Sequence, residues 1–247
     1  MGFAKPIERY LFGNLLTKMH VFMYLKDIIR GANGMTTLLH KEMRLVAHPT
    51  SIVFAFLGCL VLVPAYPYSV IFMFGCLAPY ITLLNARETN DAWYTAVLPI
   101  SKRESVLGKC LLVVFFQLFQ LLFSVPFALL RNSLNIANNP VGLDATIAWY
   151  GFGFIVYAVF DFIFLTTFYK SGYKVGKSFI FAAIPMAFLM VVIEATSYIP
   201  TFVWMDSYQP EHLLIQLPIL IVGFICYGVL VPLAYRISAK RFEKVDL

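Results

Sequence analysis

The sequence of 247 residues has few charged side chains (13%) and only four cysteines. Its polar segments are all too short for a soluble domain, which excludes a nucleotide-hydrolysing domain within these residues. The cysteines have no Cys-x-x-Cys spacing, and the four histidines form no set with the spacing of metal ligands. The sequence therefore predicts neither a disulfide framework nor a metal site.

Motifs for intramembrane catalysis are also missing. The chain has no His-Glu-x-x-His, no Gly-x-Ser-x-Gly and no paired intramembrane Glu and His. The segment 172–178 resembles a phosphate-binding loop but is one residue short of that motif. It also lies in a tight turn between two apolar stretches, with no strand before it. The sequence therefore predicts no catalytic residue, and we expect a protein that is not an enzyme.

Long apolar stretches dominate the chain instead, since 60% of the residues are hydrophobic. A helix needs about 20 apolar residues to cross the hydrocarbon core of a bilayer. Six stretches approach or reach that length: Ser51–Tyr66, Tyr68–Asn85, Cys110–Leu130, Thr146–Tyr169, Ser178–Tyr198 and Leu213–Tyr235. The sequence predicts an all-α membrane protein whose domain of six transmembrane helices covers residues 50–247.

Positive charges lie almost entirely on one side of these stretches. Eighteen of the nineteen Lys and Arg residues fall before the first span or after the second, fourth and sixth, and Arg131 alone falls on the other side. Loops rich in Lys and Arg stay in the cytoplasm, so both termini are predicted to be cytoplasmic. These loops also explain the net charge of +6, and we expect no nucleic-acid partner.

Residues 1–49 precede the first span and carry apolar residues at helical spacing. This pattern is typical of amphipathic helices that lie in the inner membrane interface. The first helix is interrupted at 31–34, and a second is predicted over Met35–Ala47, ended by Pro49. The segment is either a collar that anchors the bundle in lipid or a surface for a substrate or partner.

The loop between the second and third spans is the largest polar insertion. Asp91 suits the positive end of a short helix that runs to about Leu98, where Pro99 stops it. Ser101 and Glu104 have the spacing of a capping box that starts the next helix.

The short helix has an apolar face formed by Trp93, Tyr94, Val97 and Leu98. Two turns of helix are not stable alone, so we expect the helix to dock. Its partner is either another protein or the amphipathic segment of this same chain.

These motifs resemble those of small type-2 ABC exporter permeases. The residues that carry the resemblance are Lys41-Glu42-x-Arg44, Asn90-Asp91 and Leu98-Pro99-Ile-Ser101-Lys-Arg-Glu104-x-Val106-Leu-Gly108-Lys109. The chain is similar to permeases that export amphipathic peptide toxins, such as the phenol-soluble modulin exporter, and to those of lantibiotic self-immunity. The resemblance extends from Met35 to the C-terminus.

The resemblance implies a multi-pass permease subunit of an ATP-driven exporter in a bacterial plasma membrane. A separate ABC ATPase would bind ATP and Mg²⁺, and this chain would carry no cofactor. The loop 87–109 would form the coupling helix that sits in a groove of the ATPase. By the resemblance, the ATPase-coupling residues are Asp91, Trp93, Tyr94, Leu98, Pro99, Ser101 and Glu104.

The resemblance also implies two permease chains, either two copies or a copy with a sister permease. The cargo would be amphipathic peptides or similar hydrophobic molecules, and membrane lipid would surround the bundle. Alternatives from other classes are an accessory or sensor protein associated with a transporter and an intramembrane enzyme.

Three charged residues near or within the spans are candidates for the substrate path: Asp161, Glu194 and Arg131. Such residues usually face the interior of a bundle and have partners. Glu194 and Arg131 belong to the outer third of the membrane, so they are either a structural pair or contacts for cargo. Asp161 is protonated, hydrogen-bonded across helices or exposed to a polar cavity.

Overall fold

The structure is a computed structural model that describes residues 34–89, 91, 100–134, 136, 139–172 and 174–244. The amphipathic helix predicted in the first 33 residues lies outside this range. So do Trp93, Tyr94, Leu98 and Pro99 of the predicted coupling loop. Asp91, Ser101 and Glu104 are described, so the structure locates both ends of that loop.

Helices make up nearly all of the described residues, and none of these residues lies in a strand. In chain order they are α1 (Gly34–Leu45), α2 (Pro49–Phe56), a 3₁₀ helix (Leu57–Leu62), α3 (Ser69–Glu88), α4 (Lys102–Ser133), α5 (Ile147–Lys170), α6 (Val175–Thr196), a second 3₁₀ helix (Pro200–Asp206) and α7 (Pro210–Glu243). The predicted all-α fold is confirmed.

Five of these helices, α3 to α7, are long and apolar enough to cross a membrane, and a sixth span forms if α1 and the segment after it are counted together. The chain bends by 109° between α1 and the helical segment Pro49–Leu62. The bend follows from Pro49 at the start of α2, where the His48 side chain accepts a hydrogen bond from the Thr50 amide. The predicted helix over Met35–Ala47 is confirmed as α1, and the chain then turns sharply into the first apolar stretch.

The first apolar stretch is not one regular helix. It begins as two turns of α-helix and continues as a 3₁₀ helix to Leu62. With the rises of the two helix types, this segment is about 24 Å long, which is shorter than the hydrocarbon core of about 30 Å. The change of helix type accompanies a close approach to α4, because a Cβ on Gly58 would lie 2.7 Å from the Gln120 carbonyl oxygen.

Helix α5 is the most enclosed helix and packs most extensively against α7. Its buried aromatic side chains form the centre of the core. Trp149 lies 4.4 Å from Phe72 of α3 between ring centroids, and Tyr157 contacts the same ring edge-on at 5.8 Å. Helices α6 and α7 are the least buried of the five long spans.

The contact between α5 and α7 depends on two glycines that face each other. A Cβ on Gly223 would overlap the backbone of Gly151, and a Cβ on Gly151 would lie 2.7 Å from the backbone of Ile219. Small residues allow transmembrane helices to approach at backbone distance, as these two do.

Gly223→Ala is therefore expected to lower stability by about 1–3 kcal/mol, because the added methyl group must push two backbones apart. Gly228 is the matched control, since it lies on the same helix with no atom within 4 Å of its added Cβ. Thermal unfolding of both alanine variants in the same detergent tests this. Equal melting temperatures for the two variants would contradict the close approach.

Candidate coupling site and intramembrane polar residues

Four charged side chains meet at the end of the bundle that the sequence predicts to be cytoplasmic, and we call them the inner charge cluster: Lys41, Glu42, Asp91 and Lys109. The Lys109 ammonium donates a short hydrogen bond to Asp91 and lies 3.4 Å from Glu42. Lys41 lies 2.9 Å from Glu42 and 3.9 Å from Asp91. Glu42, Asp91 and Lys109 are at most 4% exposed, so the cluster is inside the protein.

The cluster joins three separate segments of the chain. Lys41 and Glu42 come from α1, Asp91 from the loop after α3 and Lys109 from the first turns of α4. Gly108 makes room for this meeting, because a Cβ there would lie 3.1 Å from the Glu42 side chain. Buried charges of opposite sign are stable only while each keeps its partner. The start of the loop after α3 is therefore held to two helices at once.

The predicted capping box at the other end of the loop is confirmed. The Ser101 hydroxyl accepts a hydrogen bond from the Glu104 amide at 3.2 Å, and the Glu104 carboxylate accepts one from the Ser101 amide at 2.7 Å. These bonds satisfy backbone donors that the first turn of a helix leaves free. Helix α4 thus begins at Lys102, within the predicted loop 87–109.

At the outer end of the bundle, Arg131 and Glu194 bind different partners. Arg131 lies 3.3 Å from Asp144, and both side chains are nearly inaccessible. The Glu194 carboxylate accepts hydrogen bonds from the amides of Ser69 at 2.8 Å and Leu143 at 2.9 Å. The sequence did not indicate Asp144 as the ion-pair partner of Arg131.

Asp144 and Asp206 connect the outer loops to each other. The Asp206 carboxylate accepts a hydrogen bond from the Asp144 amide at 2.6 Å. Burial raises the pKa of Asp206 to about 6. Burial also raises the pKa of Asp144, although the nearby positive charge of Arg131 lowers it in part.

No set of side chains suited to a metal ion occurs among the residues the structure describes.

Asp161 lies within α5 and is completely buried. Its carboxylate accepts a hydrogen bond from the Gln117 amide of α4 at 2.8 Å, and Tyr227 of α7 donates to the same glutamine at 2.9 Å. Asp161 is thus hydrogen-bonded across helices, one of the arrangements that the sequence left open. Neither Gln117 as the partner of Asp161 nor Tyr227 as the partner of Gln117 was predicted from the sequence, although a glutamine in an apolar stretch is a signal for an interhelical hydrogen bond.

An apolar groove of about 650 Å³ lies in the outer half of the bundle, between α4, α5 and α7. Leucine, valine and phenylalanine side chains form most of its wall, among them Leu121, Val125 and Phe224. The Tyr150 and Ser124 hydroxyls are hydrogen-bonded at 3.0 Å, with Tyr150 on the groove wall. The groove has the size of pockets that hold small ligands, and its lining suits an apolar one.

Comparison with known proteins agrees with this architecture. Residues 37–243 match the family described as ABC-2 family transporter protein. No curated protein and no solved structure shows significant similarity to the chain. The match includes α3 to α7 and nearly all of α1. The chain therefore belongs to the ABC-2 transporter family and is a multi-pass permease component of an ABC transporter, which associates with an ABC ATPase subunit.

Proposed function

We propose that this permease exports amphipathic peptides or similar hydrophobic cargo from a bacterial cell. The energy comes from ATP and Mg²⁺ bound to the ATPase subunit, and the chain itself catalyses no reaction. The loop 87–109 is the coupling segment, with Asp91, Ser101 and Glu104 at its ends. Trp93, Tyr94, Leu98 and Pro99 contact the ATPase.

The inner charge cluster is the observation that supports this proposal most strongly. A force on the coupling loop moves Asp91, and Asp91 is bound to Lys109 at the base of α4. Lys41 also lies near Asp91, so the same movement reaches α1. A transporter needs an element whose position both the ATPase and the membrane spans affect. A cluster that joins the loop to two helices meets this requirement.

The apolar groove supports the choice of cargo. An amphipathic peptide has one apolar face, and the groove offers it a wall of leucine, valine and phenylalanine side chains. Asn132, Thr146 and Tyr208 add polar groups to the groove. Binding that differs between the conformations of the permease would convert the ATPase cycle into transport.

A second permease chain completes the proposal. Helix α6 leaves a row of large apolar side chains exposed, including Ile184, Phe188 and Val191. Either a second copy or a sister permease would cover part of this surface, and lipid the rest. Asp161 and Arg131 are buried, and Arg131 and Glu194 are bound to other groups of this chain, so these three residues would meet cargo only when the bundle opens.

Transport into proteoliposomes tests the function. The permease and its ATPase are reconstituted, ATP is added outside, and uptake of a fluorescent amphipathic peptide is measured. We expect ATP-dependent uptake of this peptide by vesicles whose permease presents its cytoplasmic face outwards. A peptide of the same composition, scrambled so that it lacks an apolar face, is the control. Equal uptake of both peptides would contradict the cargo, and no uptake of either would contradict peptide export.

A further inference from the structure

A group of polar side chains joins three helices within the apolar layer of the bundle. Gln117 and Gln120 are one turn apart on α4, and each accepts a hydrogen bond from a tyrosine hydroxyl. Tyr227 of α7 donates to Gln117 at 2.9 Å, and Tyr157 of α5 donates to Gln120 at 2.5 Å. Gln117 in turn donates to Asp161 at 2.8 Å. The group therefore holds α4, α5 and α7 together through side-chain hydrogen bonds.

The Asp161 carboxyl is the least satisfied member of this group. One of its oxygens accepts from Gln117, while Oδ2 is buried and has no hydrogen-bond partner among the described residues. The titratable side chains that interact electrostatically with it include Cys76 of α3, Cys110 of α4, Tyr157 of α5 and Tyr227 of α7. In the described part of the chain, no lysine, arginine or histidine forms an ion pair with it.

An ionised carboxylate in this position would be a buried charge with one neutral hydrogen-bond donor. Such a charge is far more costly than a buried neutral acid. Asp161 is 0% exposed, so a metal ion or a cargo ammonium group cannot reach it while the helices stay packed. A proton is the one cation that needs no additional space.

We propose that Asp161 is a proton-binding site that locks α4, α5 and α7 in the packed arrangement. The neutral acid keeps the hydrogen bond with Gln117 while the helices are closed. When the proton leaves, the carboxylate requires water or a cation, which it obtains only if α7 moves away from α4 and α5. The pH of the compartment that reaches Asp161 then shifts the equilibrium between the packed and the open arrangement. This inference does not depend on the cargo or on ATPase coupling.

The test uses the full chain in liposomes without the ATPase. Infrared difference spectra between wild type and Asp161→Asn at neutral pH are expected to contain the C=O stretching band of a protonated carboxylic acid, shifted in D₂O. Asp161→Glu should keep a carboxylic-acid band at a different frequency. Tyr227→Phe is the control in α7, because it removes the hydroxyl that binds Gln117 but leaves the Asp161 carboxyl intact. Its spectrum should therefore keep the carboxylic-acid band. A wild-type spectrum without this band would overturn the proposal.

Hydrogen exchange tests the link between the proton and the movement of α7. Protection factors of the backbone around Tyr227, corrected for the intrinsic pH dependence of exchange, are expected to fall in wild type over the pH range in which the acid band disappears. They should stay constant in Asp161→Asn, whose side chain cannot ionise. An equal fall in both proteins would overturn the proposal. If Asp161→Asn does not fold, Asp161→Glu is the second variant: the pH at which its acid band disappears and the pH at which protection around Tyr227 falls should move together away from the wild-type value. A fall in protection that stays at the wild-type pH while the band moves would overturn the proposal.

Discussion

Replacing Lys109 with methionine is expected to destabilise the permease by about 3–5 kcal/mol, because two buried carboxylates lose their shared cation. Lys109 lies against both Glu42 and Asp91, and all three side chains are almost completely buried. The change also releases the coupling loop from α4. We therefore expect ATP hydrolysis by the bound ATPase to continue while ATP-driven transport is lost. Thermal unfolding and proteoliposome transport measure the two effects.

Arg103→Met is the matched control for this change. Arg103 forms an ion pair with Glu243 at 2.5 Å, near the start of the same helix, but the pair is exposed. Exposed ion pairs contribute little to stability because water and salt screen them. We expect near-normal unfolding and transport for this variant. If Lys109→Met unfolded and transported as Arg103→Met does, the inner charge cluster would not be the coupling point.

The double change Trp93→Ala with Leu98→Asp is expected to abolish transport and the stimulation of ATP hydrolysis. We propose that these residues fill a groove of the ATPase. Loss of one buried tryptophan typically costs about 2 kcal/mol or more, which corresponds to about 30-fold weaker binding. An aspartate in the same groove adds the cost of an unpaired charge. Titration of the ATPase onto the reconstituted permease measures the affinity.

Thr95→Asp is the control for the double change. It places an aspartate in the same loop, but at helical spacing residue 95 lies off the apolar face that Trp93 and Leu98 share. We expect this variant to bind the ATPase and to transport. Normal ATPase affinity and transport in the double variant would show that the coupling helix is assigned wrongly. An equal loss of ATPase affinity and transport in Thr95→Asp would show that any added charge in this loop prevents ATPase binding.

The spans and helix starts could be predicted from the sequence because each depends on residues that are close in the chain. Apolar length predicts a membrane span, and Ser101 with Glu104 predicts the start of α4. The sequence also predicted α1, but it did not predict the change from α-helix to 3₁₀ helix within the first span. That change accompanies a contact with α4, which the local sequence does not contain.

The partners of the charged residues could not be predicted, since they depend on how the helices pack. Asp91 and Lys109 are 18 residues apart in the chain, and Glu42 and Lys109 are 67 apart. Arg131 was expected to pair with Glu194 or to contact cargo, and the structure pairs it with Asp144. Asp161 and Gln117 meet only because α4 and α5 pack in one register. Hydropathy places each of these residues at a depth in the membrane but does not define its neighbours.

Co-purification of the full permease with its ABC ATPase, in mild detergent and in several nucleotide states, tests the central claim most directly. We predict a stable complex that contains equal numbers of permease and ATPase chains. Its ATP hydrolysis should rise when an amphipathic peptide is added. A permease that purifies without the ATPase in every nucleotide state would contradict the assignment of loop 87–109 as the coupling segment.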